Sequence, residues 1–161
     1  MPKATDSIDT GTIFASPKAL NHIKNQIMTV KVLVEHLDKD NFRLANGKSA
    51  DTLNPKELLL YATACCAGKT VIAILDKQRI VPEKFEIAMY GELDTDEVTA
   101  QSTFKSFRII YDIVCPPNDD EHKVQQTVKS ADEKYCGTLK MMRRIAPVTS
   151  EIKIGAAVKA W

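Results

Sequence analysis

Three cysteines are the residues of this chain best suited to chemistry: the adjacent pair Cys65-Cys66, and Cys136 in the run Lys134-Tyr135-Cys136-Gly137-Thr138-Leu139. A thiolate is a strong nucleophile, and two thiols that meet can be oxidised to a disulfide. Cys65 and Cys66 fall in a stretch that opens Asn54-Pro55-Lys56-Glu57-Leu58-Leu59-Leu60 and reads as one helix. Neighbours on a helix point about 100° apart, so at most one of the pair is expected to face any given pocket. Neither lies in the first turn, so the dipole of their own helix does not activate them, and a reactive thiol here would need a cationic partner. Lys69, three residues after Cys66, and Arg43, ahead of the helix, are the candidates, although Lys69 reads equally well as a solvated lysine. Cys136 lies between two helical patterns, at or near the start of residues 138–145, where a helix dipole favours a thiolate. The fourth cysteine, Cys115, precedes Pro116-Pro117 at a strand end and reads as structural. Because free cysteine is among the most buried residue types, a core role competes with a catalytic one at every position.

Other site chemistries lack their residues. There is no Cys-x-x-Cys and no histidine pair three to five apart; His22, His36 and His122 are scattered, so structural zinc is not expected. The 6 glycines form neither a G-x-G-x-x-G nor a Walker loop, and no Gly-x-Ser-x-Gly elbow is present. No resident cofactor is expected.

The elements that must position the thiols are well marked. Asn54 can cap the helix, Pro55 fits its first position, and Glu57 completes a capping box. The helix should run to about Lys77. From Leu58 to Leu75 its sole charged residue is Lys69, so it is apolar all round and needs cover on nearly every side, from a sheet, another helix or a second subunit. Alternation predicts strands over 26–37, 42–45, 83–93, 107–114 and 148–154, with a loop from Asp94 to Gln101. Helical spacing predicts a second helix capped by Asp119 or Asp120, interrupted at Cys136-Gly137, and a third over 138–145. The order is α+β: a mainly antiparallel sheet wrapped around a long buried central helix.

The 161 residues predict a partly ordered N-terminal segment, 1–25, and a single domain, 26–161. With 22 Lys+Arg against 21 Asp+Glu, no nucleic acid partner is expected. The polar start lacks an export signal, and no stretch is read as long and apolar enough to span a bilayer; no membrane partner and a cytoplasmic location are the expectations.

Asn54-Pro55-Lys56-Glu57-Leu58-Leu59, leading through small residues to Ala64-Cys65-Cys66-Ala67, resembles the central-helix motif of the OsmC/Ohr family (osmotically inducible protein C, organic hydroperoxide resistance). Counted from Asn54, the family's reactive cysteine falls on Cys66. The family's second motif resembles Cys136 to Leu139 together with Pro147-Val148-Thr149-Ser150-Glu151-Ile152. The resemblance covers about residues 26–156. It implies an intertwined OsmC-like homodimer with the central helices packed inside it and the active site at the subunit interface. It also implies a thiol-dependent peroxidase for organic hydroperoxides in oxidative stress defence. Cys66 would become a sulfenic acid, Cys136 would condense with it to an intramolecular disulfide, and an external dithiol, lipoyl-type in the best-studied branch, would reduce that disulfide. A glutamate–arginine pair over the thiolate is implied as well. The residues available for it are Glu57 and Arg43, while Lys56 stands at the family's glutamate position. A non-enzymatic dimer of the same fold that binds an apolar small molecule, or a thiol-transfer protein using Cys66, are the competing readings.

Overall fold

Alternating residues make the sheet. In β1 (Met28–His36), Val32 and Val34 turn inward; they pair with Met89 and Ile87 of β3 (Lys84–Thr95), which pair in turn with Ile109 and Tyr111 of β4 (Ser102–Cys115). All six are buried, forming two adjacent apolar rows across three strands. The short β2 (Phe42–Leu44) edges β1, and β5 (Val148–Ala156) closes the other side, giving the order β2-β1-β3-β4-β5. The computed structural model describes residues 27–95, 101–117 and 121–156; the segment 1–25 and the proposed caps Asp119 and Asp120 lie outside these.

Three strand pairings are antiparallel, as expected, and β5 lies parallel to β4. Parallel neighbours need a long crossover. Here it contains α2 (Glu121–Ser130), one π-turn (Ala131–Tyr135) and α3 (Gly137–Ile145). The sheet also reaches further than alternation implied. Leu93↔Phe104, Asp94↔Thr103 and Thr95↔Ser102 pair beyond a register shift at Glu92/Leu93, so strand occupies part of the expected 94–101 loop. Backbone pairing does not require an apolar side chain at every second position, which is why the pattern missed it.

The central helix α1 (Pro55–Lys77) starts and stops where its sequence says. Asn54 Oδ1 accepts the backbone N–H groups of Lys56 and Glu57, both at 3.0 Å, and Glu57 Oε2 accepts the Asn54 N–H at 2.9 Å. Leu60, Thr63, Ala64, Ala67, Gly68, Val71, Ile72 and Leu75 are buried, a ridge at helical spacing that lies on the sheet. Gly68 permits the close approach, since a Cβ there would sit 2.4 Å from the Phe42 ring.

One expectation about α1 needs correction. By length and composition it could cross a bilayer, contrary to the sequence reading; its buried ridge against the sheet marks it as a core helix instead. Within one chain it packs on the sheet and beside α2, the π-turn and α3. Leu58 and Leu59 are each 40% exposed, and Ala62 and Ala73 are exposed too. Among the described residues an apolar face is thus left open, the face for which the sequence reading allowed cover by a second subunit.

Candidate active site

Cys66 sits midway along α1 on the margin of that open face, partly buried; Cys136 is buried and forms the N-cap residue of α3. Their sulfurs are 3.8 Å apart although 70 residues separate them. Thr138, in the first turn of α3, completes a triangle, its Oγ1 3.2 Å from Cys136 Sγ.

The two thiols are driven in opposite directions. Burial pushes Cys66 up, but the Thr138 hydroxyl, the Thr138 backbone N–H and the Cys136 thiol bond to its sulfur and outweigh burial, leaving it below the ordinary thiol range. Thr70 adds least, because its hydroxyl proton is engaged by the Cys66 carbonyl at 2.9 Å. Burial pushes Cys136 up as well. There, the Thr138 hydroxyl, whose single proton is shared with Cys66, and the Leu139 N–H do not compensate, and the neighbouring Cys66 charge adds to the rise. The first N–H groups of α3 are therefore divided: that of Thr138 acts on Cys66, and that of Leu139 acts on Cys136, where burial outweighs it.

The open face of α1 carries a groove of about 810 Å³ in which Ala62, Ala73, Ile74 and Tyr135 supply apolar wall and both Cys65 and Cys66 reach the lining. The groove is broader than the 100° between neighbouring helix residues, so the expectation that one thiol at most would face it does not hold. Only Cys66 meets Cys136. Cys65 is raised by burial, partly offset by a hydrogen bond with Tyr61 and by the Lys69 charge. Lys69 thus acts on the residue four before it, and lies 3.7 Å from Asp40; it is not the partner of Cys66.

The sequence model for OsmC-like proteins matches residues 47–151, almost two thirds of the chain and both thiols. The chain belongs to the OsmC-like family. Solved structures agree on the fold. A hypothetical protein from Aquifex aeolicus VF5 is 25% identical, covering 81% of this chain and 100% of that one, with a TM-score of 0.57. An OsmC-like hydroperoxide resistance protein from Jannaschia sp. CCS1 is 12% identical over 71% and 85% of the two chains, with a TM-score of 0.56. An OsmC-like protein from Mycoplasma pneumoniae is 10% identical over 83% and 99%, with a TM-score of 0.54. No curated protein matches by sequence.

In this OsmC-like chain the remaining candidates are engaged elsewhere. Arg43, outside the matched span, donates from Nε to Glu35 Oε1 at 2.6 Å across the β1–β2 pair. Glu57 is held in the capping box of α1, and Lys56 donates to Ser102 Oγ at the start of β4. None of the three is among the groups that act on Cys66. Hydrogen-bond donors, not a cation, hold the thiol low within this chain.

Residues that sequence reading missed surround Cys136. Asp132, in the π-turn, is buried and accepts from Tyr111 Oη at 2.8 Å, Arg143 Nη2 at 2.5 Å and Ser150 Oγ at 3.3 Å. Burial, then the Asp132 charge, push the Tyr111 phenol far above its ordinary range, so it serves as a donor. Thr138 could have been found as a hydroxyl two residues past a cysteine at a helix start. Nothing in the sequence ties Asp132 to strands β4 and β5.

Proposed function

We propose that this OsmC-like protein is a thiol peroxidase that reduces organic hydroperoxides to alcohols. The observation that carries the reading is the 3.8 Å approach of a lowered, groove-facing thiol, Cys66, to a buried, raised one, Cys136. The Cys66 thiolate attacks the terminal peroxide oxygen; the O–O bond breaks, the alcohol leaves with a proton, and Cys66 becomes a sulfenic acid. The Cys136 sulfur then attacks the sulfenic sulfur, the S–O bond breaks, and water leaves with the Cys136 proton. A disulfide needs sulfurs about 2.05 Å apart, so one local adjustment of about 1.8 Å closes the pair.

The asymmetry orders the steps. Cys136 stays protonated while Cys66 carries charge, and that charge is gone once Cys66 is oxidised. The apolar groove suits the organic group of a hydroperoxide, and the Jannaschia neighbour's description as a hydroperoxide resistance protein accords with this at the level of fold. A homodimer that covers the open face of α1 would bring the groove to the subunit interface. An external dithiol, such as a lipoyl group, would regenerate the thiols in a reducing, cytoplasmic setting.

The test is turnover. With dihydrolipoamide as reductant, cumene hydroperoxide should be consumed catalytically, and Cys66→Ser should abolish consumption. Binding of an apolar probe in the groove without peroxide consumption would favour the non-enzymatic reading instead.

A further inference from the structure

The π-turn before Cys136 has a built-in cause. The Cys136 N–H donates to the Ala131 carbonyl at 2.8 Å, five residues back. In an α-turn it would donate to the Asp132 carbonyl. That carbonyl is taken by Arg143 Nη1 at 2.7 Å, from the following helix. The same guanidinium holds the Asp132 carboxylate, which also receives Tyr111 from β4 and Ser150 from β5. One buried residue is thus tied to α3 and to two strands. Asp132 is the only buried acid among the described residues.

A π-turn holds one more residue per turn than an α-turn, so it changes where every following side chain points. Reversion to an α-turn would swing Cys136 by about 100° around the axis and away from Cys66. We propose that the Asp132–Arg143 pair, with Tyr111, is the positioning device of the resolving thiol: it holds the π-turn open and so keeps Cys136 aimed at Cys66. These are positioning residues, since they act through Cys136. The proposal rests on the peroxidase reading for its biological role, while the geometry it describes governs disulfide closure by any oxidant.

Closure can be read without peroxide. In a Cys65→Ser background, limiting 4,4′-dithiodipyridine reacts first with Cys66: the thiolate breaks the reagent S–S bond, forms a mixed disulfide and releases one thiopyridone. Cys136 then displaces the second thiopyridone and forms the Cys66–Cys136 disulfide. Arg143→Gln should slow the second phase on the order of tenfold, because a misplacement of about 1 Å has costs of that size or more, while the first phase stays within about twofold. Arg143→Lys, which keeps one donor and the charge, should recover part of the loss. Tyr111→Phe, which keeps the ring and loses one hydrogen bond, should slow the second phase about threefold, and decides the matter alone if Arg143→Gln does not fold. A second phase that is unchanged or faster in these variants, or two phases slowed equally, overturns the proposal. If the wild type closes with the dipyridyl reagent but not with cumene hydroperoxide, the peroxidase reading fails and the positioning role stands.

Discussion

Replacing Thr138 with valine removes the hydroxyl that bonds to Cys66 while leaving the backbone N–H of residue 138 in place. A hydrogen bond to a charged group contributes about 1.5–3 kcal/mol, and partial exposure of Cys66 calls for the low end, about 1.5 kcal/mol, or a factor of about ten in the thiolate population below its pKa. The thiolate that remains is more basic and hence more nucleophilic, with a Brønsted slope of about 0.5, which returns a factor of about three. Alkylation of Cys66 on the rising limb, below its pKa, should therefore slow about threefold. The assay is iodoacetamide alkylation from pH about 6 to about 9, with Cys66 followed by peptide mapping. The sign is fixed: a thiol held below its ordinary range reacts faster as pH rises through its pKa and then levels off. The valine profile should lie at higher pH and level off higher, so the two curves cross. Thr138→Ser keeps the donor and should follow the wild type. Superimposed wild-type and valine curves would refute the claim that hydrogen bonds, not a cation, lower Cys66.

Cys136→Ser should leave the Cys66 sulfenic acid without its resolving partner, so dimedone should label Cys66 after hydroperoxide treatment in this variant and only weakly in the wild type. Cys65→Ser should leave disulfide formation within about twofold of wild type, since Cys65 does not meet Cys136 and its thiol is raised by burial. Gly68→Ala should cost about 1–2 kcal/mol in urea unfolding at fixed protein concentration, because Phe42 must move to admit the Cβ and the better helix propensity of alanine recovers only part of the strain. Asn54→Ala should cost about 1 kcal/mol by the same measurement, through loss of the acceptor for two helix-terminal N–H groups.

Local chemistry made much of this fold legible. Asn54-Pro55-x-Glu57 sets the start of α1 because each residue satisfies a specific terminal group, and alternation exposed β1 and the centres of β3, β4 and β5. What stayed hidden was non-local. The parallel setting of β5 follows from where the crossover helices deliver the chain, and the outer pairs of β3 and β4 follow from backbone hydrogen bonds without apolar alternation. At the site, the approach of Cys66 and Cys136 was legible through the family resemblance alone, since spacing in sequence carries no distance. Two electrostatic expectations were redirected by geometry. Lys69 serves Cys65 at four residues rather than Cys66 at three, and the start of α3 serves the thiol across from it as well as Cys136, where burial outweighs the help. Arg43 and Glu57 have the right charges for a gate, yet in this chain each is held by a nearer partner, Glu35 and the Asn54 N–H.

In the proposed reaction Cys66 attacks a hydroperoxide and Cys136 captures the product. The most direct measurement adds one equivalent of cumene hydroperoxide to the reduced protein, quenches within seconds by acid, and maps disulfides by mass spectrometry. A single Cys66–Cys136 link is expected, lost in Cys66→Ser. Free thiols at both positions in intact protein, or a first link that involves Cys65 or Cys115, would contradict it.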